Sequence, residues 1–252
     1  MRQMVKLNTK AFSACAVTAA AAALLYAATA WGQAPVTAKI SSPGNAWDTG
    51  HPDISGIWQA KANVGDDIEK SVVEPSNHKI PYLSAAEAKR KENAANKAKL
   101  DPVGKCYMPG VPRLMYMNYP FQIFQTPKYI AVVSEYSHVY RMIYMDGSPH
   151  VDYLPFWDGD SRGHWEGNTL VVDVLSFNDQ TWFDKAGNFH SDKLHVVERY
   201  TRNGDTMTYE ATISDPQTFS KDWKIRVPLT LNKAPNARIM EYECQDLAPP
   251  HQ

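Results

Sequence analysis

From residue 129 onward the chain runs in short stretches of β-branched and aromatic residues cut by turn sequences, with no helical period between any two. Residues 129–144 (YIAVVSEYSHVYRMIY) stop at Asp146-Gly147, and Trp165-Glu166-Gly167-Asn168 turns into Thr169–Leu175. Residues 194–201 reach Asn203-Gly204-Asp205, and 206–213 return as a hairpin. Trp223–Leu231 and residues 238–244 close the series, and 54–58 (ISGIW) opens it far upstream. About eight turn-bounded strands without intervening helices predict an all-β fold, an antiparallel barrel with a sandwich as the alternative.

The remainder of the chain sets the boundaries of that domain. Residues 83–100 (LSAAEAKRKENAANKAKL) form the one strong helical stretch, with Ser84 as N-cap and Glu87 three positions on. Its apolar side is only alanines and Leu100, so a surface helix over 84–100 is expected. Pro35, Ser41-Ser42-Pro43-Gly44 and Pro52 make 31–53 an extended lead-in. Ahead of it, Arg2, Lys6 and Lys10 precede an almost unbroken small and apolar run to Ala30, ending in the cleavage-type sequence Ala28-Thr29-Ala30. This reads as a signal peptide over 1–30 and a periplasmic or secreted protein, although the run is also long enough to serve as an anchor. The barrel domain is expected over 54–252.

Charge narrows the partners. Loss of Arg2, Lys6 and Lys10 leaves 23 of the 26 basic residues against 27 acidic ones, a net charge of −4. No basic patch with interleaved aromatics occurs, which argues against nucleic acid and against an anionic membrane surface after cleavage. Cys106 and Cys244 remain after export. In an oxidising compartment they read as one disulfide closing a loop of about 140 residues, worth roughly 4–5 kcal/mol by chain entropy. Two free buried thiols are the alternative.

The polar chemistry gathers around an eighteen-residue connection, 176–193, too long for an ordinary hairpin loop. It carries Phe177, Trp182, Phe183 and Phe189, so it is expected to pack, together with Asn178, Asp179, Asp184 and His190. Alternation along 129–144 puts Glu135 and Arg141 on one face among aliphatic side chains, an arrangement that suggests an inward ion pair, with His138 opposite. Farther on, His195, Val197 and Arg199 share one face and Glu198 the other, while Asp173 lies with Val171 and Leu175. Alternation does not say which face lines a cavity. The expected site has His195 or Glu198 as base, Arg141 as oxyanion or carboxylate clamp and Asp173 as an orienting group. Asn178, Trp182, Asp184, His190, Glu135 and His138 would contact the substrate. A buried network that only fixes register is the bland alternative. Gly159-Asp160-Ser161-Arg162-Gly163 matches a nucleophile elbow in letters but lacks the following helix. A zinc site at His190, His195 and Asp184 fits no standard spacing, so no metal is expected.

Several longer motifs are similar to those of a large family of uncharacterised exported proteobacterial and acidobacterial proteins. They are Cys106-x-x-Pro109-Gly110-x-Pro112-Arg113, Pro120-Phe121-Gln122-Ile123-x-Gln125-Thr126-Pro127 and Tyr144-Met145-Asp146-Gly147. The likeness continues in Trp165-Glu166-Gly167-x-Thr169-Leu170-Val171-Val172-Asp173, where Asn168 replaces an expected aspartate, and in Phe177-Asn178-Asp179-x-Thr181-Trp182. It ends with Leu194-His195-Val196-Val197-Glu198-Arg199 and Met240-Glu241-Tyr242-x-Cys244. The resemblance transfers no reaction. It implies that both cysteines, Arg141, Asp146, the Asn178–Trp182 segment and the His195/Glu198 strand belong to a shared design. Gly56-x-Trp58 resembles the entry strand of lipocalins, which adds a lipocalin-like expectation to the barrel.

No nucleotide fingerprint, phosphate loop or haem motif is present. The expected activity is therefore acid–base chemistry without a cofactor, of the lyase, hydratase, dehydratase or isomerase type, on a small apolar or aromatic molecule. A non-catalytic carrier of a hydrophobic ligand is the first alternative and a metal-dependent hydrolase the second.

Overall fold

The computed structural model describes residues 50–60 and 64–244. The expected signal peptide and most of the lead-in lie outside the described residues. The described strands are β1 Gly56–Ala60, β2 Val72–Glu74, β3 Phe121–Gln125, β4 Tyr129–Ser134, β5 Tyr140–Tyr144 and β6 Asp160–Glu166. They continue with β7 Thr169–Leu175, β8 His195–Asn203, β9 Thr206–Ser214 and β10 Trp223–Leu231.

Nine of these strands close into a barrel in the order β1-β3-β4-β5-β6-β7-β8-β9-β10, with β10 returning to β1. Closure leaves no sandwich edge. The tenth strand, β2, pairs with the start of β10 at Lys224↔Glu74 and Ile225↔Val72, whereas β1 takes its end at Trp58↔Leu231. One long strand thus serves two short ones in succession. All pairings are antiparallel except β5–β6, which is parallel and only two pairs long, Ile143↔Ser161 and Tyr144↔Arg162. The expectation of about eight wholly antiparallel strands is corrected on both counts.

The differences trace to local chemistry. Residues 129–144 do not form one strand: the chain reverses through Tyr136–His138, where Ser137 and His138 take φ of 46° and 55°. Ser134 Oγ accepts the Tyr136 amide at 3.1 Å and anchors that turn. β6 reads DSRGHWE, without the β-branched residues that announce a strand, and gains its place by pairing with the apolar β7. Residues 238–243 form no regular element and join no sheet; the Ser137 amide donates to the Tyr242 carbonyl at 3.2 Å. Cys106 and Cys244 are joined, which ties this last described segment to the loop before β3.

Alternation holds clearly in β8 and β9. Val196, Glu198 and Tyr200 of β8 face inward, as do Leu170, Val172 and Val174 of β7 and Tyr209, Ala211 and Ile213 of β9. With Trp58, Phe121, Trp223 and Leu229 they form one continuous core.

The helix is surface-lying, as composition suggests, but Asn96 breaks it into α1 Ser84–Ala95 and α2 Lys97–Leu100. Ser84 does not cap it. The extended Leu83 precedes the helix, and no side chain caps it. The helix supports the long 176–193 connection. A Cβ at Gly187, whose φ is +86°, would lie 2.6 Å from the Ala94 nitrogen, so only glycine permits this approach. No helix among the described residues is long and apolar enough to cross a membrane.

Candidate functional site

The barrel interior holds a saturated ion pair. From β5, Arg141 presents Nη2 to Glu198 Oε2 and places Nη1 3.1 Å from Oε1, while its Nε donates to Ser161 Oγ at 3.0 Å. Tyr200 and Tyr209 donate their hydroxyls to Glu198 Oε1 at 2.9 and 2.8 Å. Burial, followed by the Glu198 charge, pushes both phenols well above their ordinary pKa, so they remain donors. Glu198 is 0% exposed and receives four donors, which compensate a carboxylate that would otherwise be prohibitive to bury. The partner of Arg141 is therefore Glu198, not Glu135. Glu135 sits at the β4–β5 reversal and accepts the Met240 amide at 2.8 Å, because the turn separates two residues that a single strand would have aligned. His138 is exposed beside Glu243, Nδ1 to Oε1 3.0 Å.

His195 and Asp173 lie on the outside of the same wall. His195 Nε2 meets Asp173 Oδ1, and Asp173 Oδ2 lies 3.1 Å from Nε2 of His150. The other nitrogen of His150 is 3.1 Å from Asp160, which also pairs with Arg162 at 3.0 Å. Burial works to raise the Asp173 pKa, but hydrogen bonds from His195 and His150 outweigh it and hold Asp173 below the ordinary aspartate value. The four residues expected to act together thus divide into two pairs, Arg141 with Glu198 inside and His195 with Asp173 outside.

The long connection packs as expected, and its polar groups serve that packing. Asp184 accepts the amides of Ile68, Ala186 and Asn188 at 2.7, 2.9 and 3.1 Å and the Asn188 side chain at 2.6 Å. Burial nonetheless pushes its pKa up to about 6. Asn178 accepts the Gln180 amide at 3.0 Å, and Trp182 is buried in a bridge with Phe189. His190 donates from Nδ1 to the Ser191 carbonyl at 2.8 Å and accepts the Thr181 hydroxyl on Nε2 at 2.6 Å. Burial lowers its pKa, which suits a neutral ring. With both nitrogens engaged, His190 has no lone pair for a metal. Among the described residues no group of three or more His, Cys, Asp or Glu is arranged to hold an ion. Ser161 lies inside β6 with its hydroxyl turned to Arg141, so the nucleophile-elbow geometry is absent there.

A cavity of about 580 Å³ opens where β5 and β6 part. Tyr140, Arg141 and Met142 form one side; Phe156, Trp157 and Asp158 form the other. The strands separate because the chain reaches β6 through an irregular segment whose Phe156 pairs with 176–178 instead of with β5. Gly159 then turns with φ +69° against Val174 and Phe177, where a Cβ would come within 2.6 Å of Val174 Cγ1. That turn leaves Asp158 at the cavity wall, 6% exposed, with neither carboxylate oxygen hydrogen-bonded. Burial pushes its pKa up to about 6, opposed by Arg141 and the Gly110 amide and reinforced by Glu198. Asp158 was absent from the sequence-based site. The only sequence hint is an acid between a tryptophan and a glycine in Phe156-Trp157-Asp158-Gly159, which is equally at home in a surface turn.

No protein-family model matches the chain, and a search of curated proteins finds no similar one.

Proposed function

We propose that the cavity between β5 and β6 is the ligand site of an exported protein. On this reading Asp158 is the proton-transfer group of a cofactor-independent enzyme of lyase or isomerase type, acting on a small apolar or aromatic molecule. One observation carries the reading: a buried carboxylate that no side chain hydrogen-bonds, on the wall of a largely apolar cavity. A carboxyl group with a pKa near 6 can both accept and return a proton near neutrality. Arg141 contributes charge, not contact, since its guanidinium is engaged by Glu198 and Ser161; its field favours the ionised form of Asp158. The same saturation removes Glu198 from the role of base. His195 and Asp173, on the outer face, would support the wall.

A second reading is favoured by the scarcity of free groups around the cavity. Arg141, Arg162, Asp160 and His138 line it, and all have charged partners. One free carboxylate suffices for binding, whereas acid–base catalysis commonly uses two groups. A lipocalin-like carrier is therefore the alternative.

Proton exchange separates them. The protein is incubated in D2O with small aromatic ketones, alcohols and amines, and NMR follows exchange at carbon. The enzyme reading expects exchange above buffer with at least one compound, lost in Asp158→Asn. Binding that depends on Asp158 without any exchange supports the carrier. Binding indifferent to Asp158→Asn, with no exchange, sinks both.

A further inference from the structure

The charges around the cavity balance in pairs, except one. Arg141 is neutralised by Glu198, Arg162 by Asp160 at 3.0 Å, and His138 faces Glu243. Asp158 remains, 6% exposed and with no side-chain or ion-pair partner on either oxygen. An anionic ligand would meet this carboxylate in a poorly solvated setting. A neutral ligand would leave its charge uncompensated.

The rim carries a second, independent sign. Tyr140 is 67% exposed at the mouth, beside Tyr144 and Trp157, an unusual display of aromatic surface. This rim already receives one cation: the Arg162 guanidinium lies over the Tyr144 ring, 4.8 Å from its centroid. Aromatic faces attract cations by their quadrupole, and tryptophan does so most strongly. Met108 and Met142 complete the lining with polarisable thioethers.

We infer that the cavity takes an organic cation, an amine on an apolar or aromatic body, with its ammonium group meeting Asp158 and its body lying against Tyr140 and Trp157. The inference rests on the reading of this cavity as the ligand site and names the chemical class it selects.

Three probes of one shape test it: 2-phenylethylamine, 2-phenylethanol and 3-phenylpropionate, each titrated calorimetrically against the full chain at pH 7.5. The amine should bind at least about tenfold more tightly than the alcohol, a difference of about 1.4 kcal/mol, and the carboxylate should not bind. In Asp158→Asn, which is isosteric, the preference for the amine over the alcohol should vanish. Tyr140→Ala, at an exposed position, should weaken the amine severalfold and the alcohol less. Between pH 5 and 7.5 the amine stays protonated, so its affinity should rise as Asp158 ionises. An alcohol that equals or exceeds the amine, while still depending on Asp158, overturns the cation and leaves the cavity reading standing. If no probe binds, or binding ignores Asp158→Asn, the cavity reading itself falls.

Discussion

Two buried carboxylates a few side chains apart live under opposite rules. Glu198, on the wall where β7, β8 and β9 pair along their full lengths, receives a guanidinium and two phenol hydroxyls. Asp158, where β5 and β6 share only two residue pairs, receives no side-chain donor; only the Gly110 amide and the field of Arg141 favour its charge. A continuous sheet brings inward-facing residues of neighbouring strands into register, so a buried charge there can be met from several sides. Where two strands part, the lining has gaps, and a polar group at such a gap is left to solvent or to a ligand. Compensation at one carboxylate and its absence at the other mark scaffold and site.

Removing a partner from the saturated side should have the largest effect. Arg141→Met leaves Glu198 charged in the core and should cost about 3–5 kcal/mol, read from the urea midpoint, with Arg141→Met/Glu198→Leu recovering part of the loss. A cost below about 1 kcal/mol would mean that water reaches Glu198 and that the contrast is overdrawn.

Asp158→Asn should act in the opposite direction, and the effect should depend on pH. The carboxyl pKa is near 6 in the folded protein and lower when unfolded, so below about pH 4 both states hold the proton and the group contributes nothing. Between about pH 4 and 6 the folded state binds the extra proton, so the wild type loses stability as pH rises. Above 6 the penalty levels off at up to about 3 kcal/mol. Unfolding curves should therefore coincide at low pH and separate in favour of the variant by pH 7.5. A pH-independent difference would place Asp158 in contact with water.

Smaller effects sharpen the contrast. Tyr209→Phe removes one of the donors to Glu198 and should cost about 2 kcal/mol in the same measurement. His195→Ala breaks a half-exposed pair on the outer wall and should cost under about 1 kcal/mol. It should also leave binding of 2-phenylethylamine unchanged. Loss of binding or turnover in His195→Ala would move the chemistry to the outer face.

Periodicity and turn chemistry made much of the barrel legible. Thr169–Leu175 and Trp223–Leu231 match β7 and β10, the Asn203-Gly204-Asp205 turn joins β8 to β9, and the cysteine pair is joined. The aromatic residues of 176–193 announced a packed connection because apolar side chains in a loop need a surface to cover. Except for the disulfide, which spans 138 residues, these are short-range properties, and residue types carry them directly.

The sequence by itself determined that His195 and Glu198 point to opposite sides of one strand, since successive side chains alternate. Only the tertiary structure decided which side is inside, because that depends on how the sheet closes and what meets each face. The same limit hid β6, which is held by its neighbour's pairing, and the reversal that parted Glu135 from Arg141. It hid Asp158 most completely. A carboxylate becomes special by what fails to surround it, and a gap between two strands exists only once both are in place.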